Sequence, residues 1–463
     1  MIFDKNKYQK EQITINGETI RIRSFRDLLY VKTPNHEELQ KINIFAPEPF
    51  YEGKSINGYN INTAPVLIPN SVGGFLTAFS EDPSLDSSQP PVPNIIFLAL
   101  QHGYVVVSPS LRGRTEKDKS GKFIGKAPSS INDLKSVIRY LHFFASELPG
   151  DEDKIISNGA SAGGCLSALL GSTGNHPDYD SNESFSASDD VFASSVYCPI
   201  MNFEHADSCY EWLFKNVSDY CGDVAKIDEN GKLSFQHVEG KLNEDLIELS
   251  EKVASLFPEY INSLDLHDDE GNKLCLDEDG NNGSFINFLE KILISSAQKA
   301  IEKGIDVSNK KWIKLINNKK VVSVDMVEYV KELKRIKPPL VFDDLNNNGS
   351  INDLFGNEKT KAMHFTDFSQ AKSSIDSCIA DDKVIKLMNP MRYIDDDKAK
   401  KAKYWRIRQG TNDNHIPFVI SALLAIKLKN NGADVDFQMT WETDHYGNYD
   451  IDELFSWIDH ICK

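Results

Sequence analysis

The chain has no usable cysteine pattern. Cys165, Cys198, Cys209, Cys221, Cys275, Cys378 and Cys462 are odd in number, scattered and nowhere spaced as CxxC. That argues against a disulfide framework or a zinc ribbon and for reduced thiols; Cys165 reads as a small packing residue in a helix. No apolar run near the N-terminus is long enough for a signal peptide, and none elsewhere approaches a membrane span. These absences predict a cytoplasmic protein with no membrane partner. Positive charge is scarce too: 51 Lys and Arg stand against 69 Asp and Glu, a net charge of −18. A nucleic acid would need a basic face, so none is expected as a partner. No internal repeat divides the chain.

What is present is an ordinary globular composition, 40% apolar and 26% charged, over 463 residues, enough for two or three units. Short apolar runs at Ala64–Ile68, Tyr104–Ser110, Lys154–Asn158 and Phe192–Tyr197 alternate with a helical pattern. In that pattern, Ile131–Leu148 carries Ile131, Leu134, Val137, Ile138, Leu141 and Phe144 on one stripe. Strands separated by helices of this length predict crossover units and a mainly parallel sheet. From 201 to 390 the texture changes. Turns at Asp228–Gly231, Asp268–Gly271, Asp277–Gly283 and Asn346–Gly349 punctuate helix-like pieces such as Leu242–Leu256 and Phe285–Glu302. That stretch is too long for a surface loop and is expected to be an inserted lid domain. After Met391 the alternation resumes, with strands at Tyr404–Gln409 and Asp434–Trp441 and helices at Pro417–Leu428 and Ile451–Ile461. Residues 1–200 and 391–463 are therefore expected to form one α/β core.

The sharpest local signal is Ile155-Ile-Ser-Asn-Gly159-Ala160-Ser161-Ala162-Gly163-Gly164. A β-branched run enters Gly-x-Ser-x-Gly and a small-residue stretch leaves it. That is the strand, tight turn and helix of a nucleophile elbow, with Ser161 as nucleophile. The helix after it points N–H groups and a positive dipole end at a developing oxyanion. The bare pattern is expected by chance about 0.1 to 0.2 times in a chain of this length, so its flanks carry the argument. Such a serine needs a histidine to take its proton and a carboxylate to fix the tautomer; in α/β-hydrolases they follow in the order serine, acid, histidine. His445 follows the strand Asp434–Trp441 and Asp413 follows Tyr404–Gln409. Each lies at a strand's carboxyl end, where such sheets keep catalytic groups. Glu442 and Asp444 compete as acids but share the histidine's own loop. His364 falls in the insert and His460 in the last helix. Pro69-Asn-Ser-Val-Gly73-Gly74-Phe75, after an early strand, offers the Gly74 N–H to join that of Ala162 in an oxyanion hole.

Several blocks resemble the bacterial tannases, or tannin acylhydrolases. They are Pro69–Phe75, Leu111–Arg114 with Asp118–Gly121, Asn158–Gly164, Tyr197-Cys-Pro-Ile200, Glu204–Asp207, Leu293–Gln298, Trp405–Arg408 and Asp452–Asp459. The resemblance runs nearly end to end. It implies an α/β-hydrolase core under a large lid, and hydrolysis of galloyl or related phenolic esters through Ser161, Asp413 and His445, with a small aromatic ester as partner. It also implies that a lysine, a glutamate and an aspartate hold the galloyl hydroxyls. Lys337, before Pro338-Pro339, matches the lysine; the glutamate position falls on Ile351, with Asp353 or Asp344 as alternatives, and the aspartate position on His415. Ile351 cannot accept a hydrogen bond and His415 offers one position at each nitrogen, which weakens selection for galloyl hydroxyls. A feruloyl-type or general carboxylesterase therefore stays open, as does a catalytically silent binding protein. A peptidase of similar fold would need a propeller that this length does not supply. Asp344, Asn346 and Asn348 occupy the first, third and fifth positions of a calcium-type loop with Gly349 at the sixth, but Phe355 stands where the bidentate carboxylate belongs. An Asn-Gly turn is expected there, with no metal and no cofactor.

Overall fold

The computed structural model describes residues 3–227, 233–317 and 319–463; the turn expected at Asp228–Gly231 lies outside them. The chain divides into two compact units, one of Met1–Tyr197, Arg392–Trp405 and Gly447–Lys463, the other of Cys198–Met391 and Arg406–Tyr446.

The first unit is built on β1 (Gln9–Ile15), β2 (Glu18–Leu29), β3 (Lys41–Pro47), β4 (Val66–Asn70), β5 (Val105–Pro109), β6 (Ile155–Ala160) and β7 (Ala193–Tyr197), hydrogen-bonded in the order β1-β2-β3-β5-β4-β6-β7. β1 to β3 form an antiparallel meander that joins β5. β4 is parallel to both its neighbours, β5 and β6, and β6 is parallel to β7. Covered on both faces, these strands read as continuous apolar or small runs rather than alternating ones. The meander and α2 (Ile95–His102), which follows the single turn α1 (Glu48–Tyr51), fall where no element is expected from sequence. β1 is mostly exposed and polar, and Ile95–Leu100 is an apolar run too short to tell helix from strand. α3 (Ser129–Phe143) buries the expected stripe but ends at Phe143, before Leu148. α4 (Ala162–Ser172) follows β6 and is buried throughout. The crossovers diverge on either side of β4, so the loops after β4 and β6 lie together at the strands' carboxyl ends; Asn70 is in register with Gly159.

The second unit runs through α5 (Phe203–Phe214), β8 (Asp219–Ile227), β9 (Leu233–Lys241), α6 (Glu244–Ala254), α7 (Phe257–Ser263), α8 (Ser284–Glu302), β10 (Ile313–Ile316), β11 (Lys320–Val324), α9 (Met326–Leu333), α10 (Ser350–Leu354), α11 (Asp367–Lys372) and α12 (Asp382–Leu387). The antiparallel hairpins β8–β9 and β10–β11 stand where only helical pieces are expected. Most of β12 (Tyr404–Gly410), α13 (Phe418–Asn430) and β13 (Asp434–Thr440) complete the unit. Specific contacts tie the stretch 406–446 to the helices of this unit. Ser296 Oγ of α8 donates to Met439 O at 2.8 Å, Tyr329 Oη of α9 to Thr411 O at 2.8 Å, and Tyr210 Oη of α5 to Asn414 O at 3.1 Å. α13 is buried on nearly every side, which its apolar composition permits. Arg335 and Glu211 form a fully buried ion pair at 2.6 Å. Among the described residues no helix is long and apolar enough to cross a membrane.

Candidate active site

β6 ends at Ala160, and Ser161 takes φ 56° and ψ −117° before α4 begins. Holding a non-glycine residue there costs roughly 1–3 kcal/mol. The flanking glycines make the turn possible. A methyl on Gly163 would overlap Asn70 Oδ1 and lie 2.9 Å from Asn70 O, while one on Gly159 would overlap Gly163 O. Asn70, the last residue of β4, clamps the turn by donating from Nδ2 to Asn158 O at 3.3 Å, Gly163 O at 3.1 Å and Ser167 Oγ at 3.0 Å. Ser161 N donates to Tyr197 O at 3.0 Å.

Gly163 N donates to Val72 O at 2.9 Å, which draws the loop after β4 to the start of α4. Gly74 lies on that loop at φ 54°, with its carbonyl accepting from Arg114 Nε at 2.8 Å. Among the described residues the Gly74 N–H has no acceptor, and that of Ala162, first in α4, has none within the helix. The first unit also fixes the chain just beyond His445. Gly447 fits against Ala160 with no room for a Cβ, Asn158 Nδ2 donates to Asn448 Oδ1 at 2.9 Å, and Tyr197 Oη donates to Asp450 Oδ1 at 2.7 Å.

In the second unit His445 Nδ1 meets Asp413 Oδ2 at 2.8 Å. Asp413 is 2% exposed and fully engaged. Oδ2 also accepts from Gln409 Nε2 at 2.7 Å, and Oδ1 accepts the N–H groups of His415 and Ile416 at 2.9 and 3.1 Å. Burial pushes this carboxyl up, but the charge and hydrogen bond of His445, the His415 charge and the Ile416 N–H outweigh it and hold it below the ordinary carboxylate value. Burial likewise pushes His445 down, yet its interactions with Asp413 and Cys198 carry the imidazole well above its ordinary value. His415 stacks on His445 with ring centroids 4.9 Å apart; burial and the neighbouring imidazole lower it. Of the competing acids, Glu442 is paired with Lys310 at 3.2 Å. The insert's His364 makes its own buried pair, with Asp343 at 2.7 Å.

The remaining candidates separate. Lys337 is half-buried, has no hydrogen-bond partner among the described residues, and is held below the ordinary ammonium value by burial, against the charges of Asp344, Asp207 and Glu211. It lies close to the acid loop, because the Tyr210 hydroxyl that donates to Asn414 O also accepts from Ile336 N at 2.8 Å. Ile351 is 2% exposed, inside α10. Asp344 Oδ1 accepts from Asn346 N and Asn348 N at 2.9 and 3.2 Å, so this carboxylate caps its own turn. Gln409 and Tyr210 carry no signal read from sequence, while Asn70 and Cys198 enter only within the blocks that carry the resemblance. Cys198 sits immediately after β7 at φ 36°.

Parallel strands diverging at β4, a strained serine between β6 and α4, and a histidine–aspartate pair on the loops after β12 and β13 define an α/β-hydrolase. The family described as BD-FAE matches residues 81–227. Tannase from Lactobacillus plantarum is 40% identical over the whole of both chains, with a TM-score of 0.94. The Fusobacterium nucleatum tannase is 42% identical over all of this chain and 99% of its own, again at 0.94. A tannin acyl hydrolase solved in complex with ethyl gallate is 39% identical over 100% and 99% of the two chains, at 0.93. No curated protein sequence matches. The chain belongs to the tannase family of ester hydrolases.

Proposed function

We propose that this enzyme hydrolyses esters of gallic or related phenolic acids through a Ser–His–Asp acyl-enzyme mechanism. Ser161 attacks the ester carbonyl as His445 takes its proton, Asp413 holds the imidazole tautomer, and the N–H groups of Gly74 and Ala162 receive the oxyanion. The alcohol leaves with the proton from His445, and water then frees the acid. The observation that carries this reading is the backbone strain at Ser161, whose side chain does not cap the helix it precedes. A residue costing stability without capping is kept for its hydroxyl. Lys337 is assigned to the acyl hydroxyls, with His415 and Ile351 as further acyl-pocket residues, and 201–390 to a lid that excludes water. The substrate class follows the ethyl gallate carried by the relative named above. No disulfide joins the seven cysteines, which fits a cytoplasmic address.

One observation favours a second reading. Ile351 is buried and offers no acceptor, so a feruloyl-type or general carboxylesterase with a less hydroxylated acid is the alternative. Rates on methyl gallate, methyl ferulate and short p-nitrophenyl esters decide between them, with Ser161→Ala as control. Gallate cleavage abolished by Ser161→Ala is the expected result. Cleavage of ferulate alone would shift the substrate class, and unchanged activity in Ser161→Ala would remove the mechanism.

A further inference from the structure

Cys198 takes no part in the proton path described so far, yet its sulfur, an Asp413 oxygen and a His445 nitrogen all lie within 4.8 Å of one another. The thiol enters from the end of β7, its backbone pinned by Cys198 N donating to Arg408 O at 2.8 Å, and its S–H is directed at Tyr446 O at 3.6 Å. We propose that Cys198, His445 and Asp413 form an inhibitory site for a thiophilic divalent cation of the zinc type. This rests on His445 being the base.

The donor set is one thiolate, one imidazole and one carboxylate, a zinc-type combination with a fourth position left for water. Tetrahedral bonds of about 2.0–2.3 Å put donors about 3.5 Å apart, so shifts of about 1 Å assemble the three. Cys198 and Asp413 are buried at 1% and 2%, but the His445 side chain is 16% exposed and Tyr446 beside it is open, which gives the ion an entry edge. On binding, the Cys198 S–H bond breaks, its proton goes to solvent and an S–metal bond forms. The Nδ1 lone pair and the carboxylate supply the other bonds, and the imidazole proton moves from Nδ1 to Nε2. No electron is transferred. The ion thus replaces the proton shared by His445 and Asp413, and the nitrogen that should receive the Ser161 proton already carries one.

The test uses the whole enzyme with Zn2+ as inhibitor and Co2+ as optical probe. One Co2+ per chain, a thiolate-to-cobalt band in the near ultraviolet, and ester hydrolysis lost in proportion and restored by a chelator are expected. Cys198→Ala removes the band and raises the Zn2+ concentration for half-inhibition at least tenfold relative to that variant's own activity; Cys198→Ser replaces it if the alanine variant does not fold. Cys221→Ala controls for the other thiol–imidazole pair, Cys221 Sγ to His237 Nε2 at 3.8 Å, and keeps both properties. A band that survives Cys198→Ala, or equal Zn2+ sensitivity in that variant, overturns the site. Because Ser161→Ala cannot turn over but retains all three donors, it keeps the band if the site is real. Cobalt bound through Cys198 with hydrolysis undiminished would instead overturn the inhibitory role and His445 as base.

Discussion

Asp413→Asn changes one atom in a carboxylate whose four hydrogen bonds are all accounted for. With the new amide oxygen kept on the His415 and Ile416 N–H groups, the NH2 replaces Oδ2 and faces two donors, His445 Nδ1–H and Gln409 Nε2. His445 adapts by baring Nδ1, which places its proton on Nε2 and removes the base. Gln409 cannot adapt: Ser421 Oγ donates to its Oε1 at 2.8 Å, and its Nε2 also donates to Ile416 O at 3.2 Å. The wrong tautomer is expected to cost about 10⁴-fold in kcat, about 5.4 kcal/mol of barrier. The buried donor–donor contact costs about 1–3 kcal/mol of stability. Kinetics on methyl gallate, a thermal melt and a pH profile measure these separately. In the parent, neutral His445 accumulates, and activity rises, as pH climbs through the raised imidazole value; in the variant that limb moves to lower pH. For stability, the raised His445 contributes fully below its ordinary value and loses its contribution as pH rises through the folded one. The depressed Asp413 contributes above the ordinary carboxylate value and loses its contribution as pH falls through the lowered one. The variant therefore loses most stability between those limits. A kcat loss under tenfold, or an unmoved limb, would refute the assignment.

Gly163→Ala forces a methyl onto Asn70 Oδ1 and O; about 1–3 kcal/mol of stability and at least tenfold in kcat should go, with KM little changed, by melt and initial rates. Arg335→Met strands the Glu211 carboxylate at zero exposure, and a urea melt should show about 3–5 kcal/mol lost. Lys337→Met removes a charged donor worth about 1.5–3 kcal/mol. KM for methyl gallate should rise more than tenfold while p-nitrophenyl acetate is unaffected, and equal loss on both esters would assign Lys337 to the scaffold.

What could be read from sequence tracks how local each constraint is. Gly159, Ser161 and Gly163 are legible because the turn is made by five consecutive residues, and the clash that demands each glycine is steric. The parallel strands are legible because burial on both faces leaves unbroken apolar runs. β1 fails that test with its polar, exposed face, and the hairpin β10–β11 is short and half-exposed as well. Asn70 is essential to the elbow, yet it acts on residues 88 to 97 positions later in the chain, and nothing near it in sequence marks that role.

The acid shows the same division more sharply. Local chemistry favours Glu442 or Asp444, which are closest to His445 in the chain, whereas strand order favours Asp413, and the 2.8 Å contact lies with Asp413. Glu442 pairs instead with Lys310. Specificity has no such topological rule to lean on. Lys337 is brought near the acid loop by several hydrogen bonds: Tyr210 Oη is bonded at once to Asn414 O and Ile336 N, Asn414 Nδ2 donates to Leu333 O at 3.4 Å, and Tyr329 Oη donates to Thr411 O. If Lys337 holds the acyl hydroxyls as proposed, a change at Tyr210 should disturb KM as well as kcat on methyl gallate.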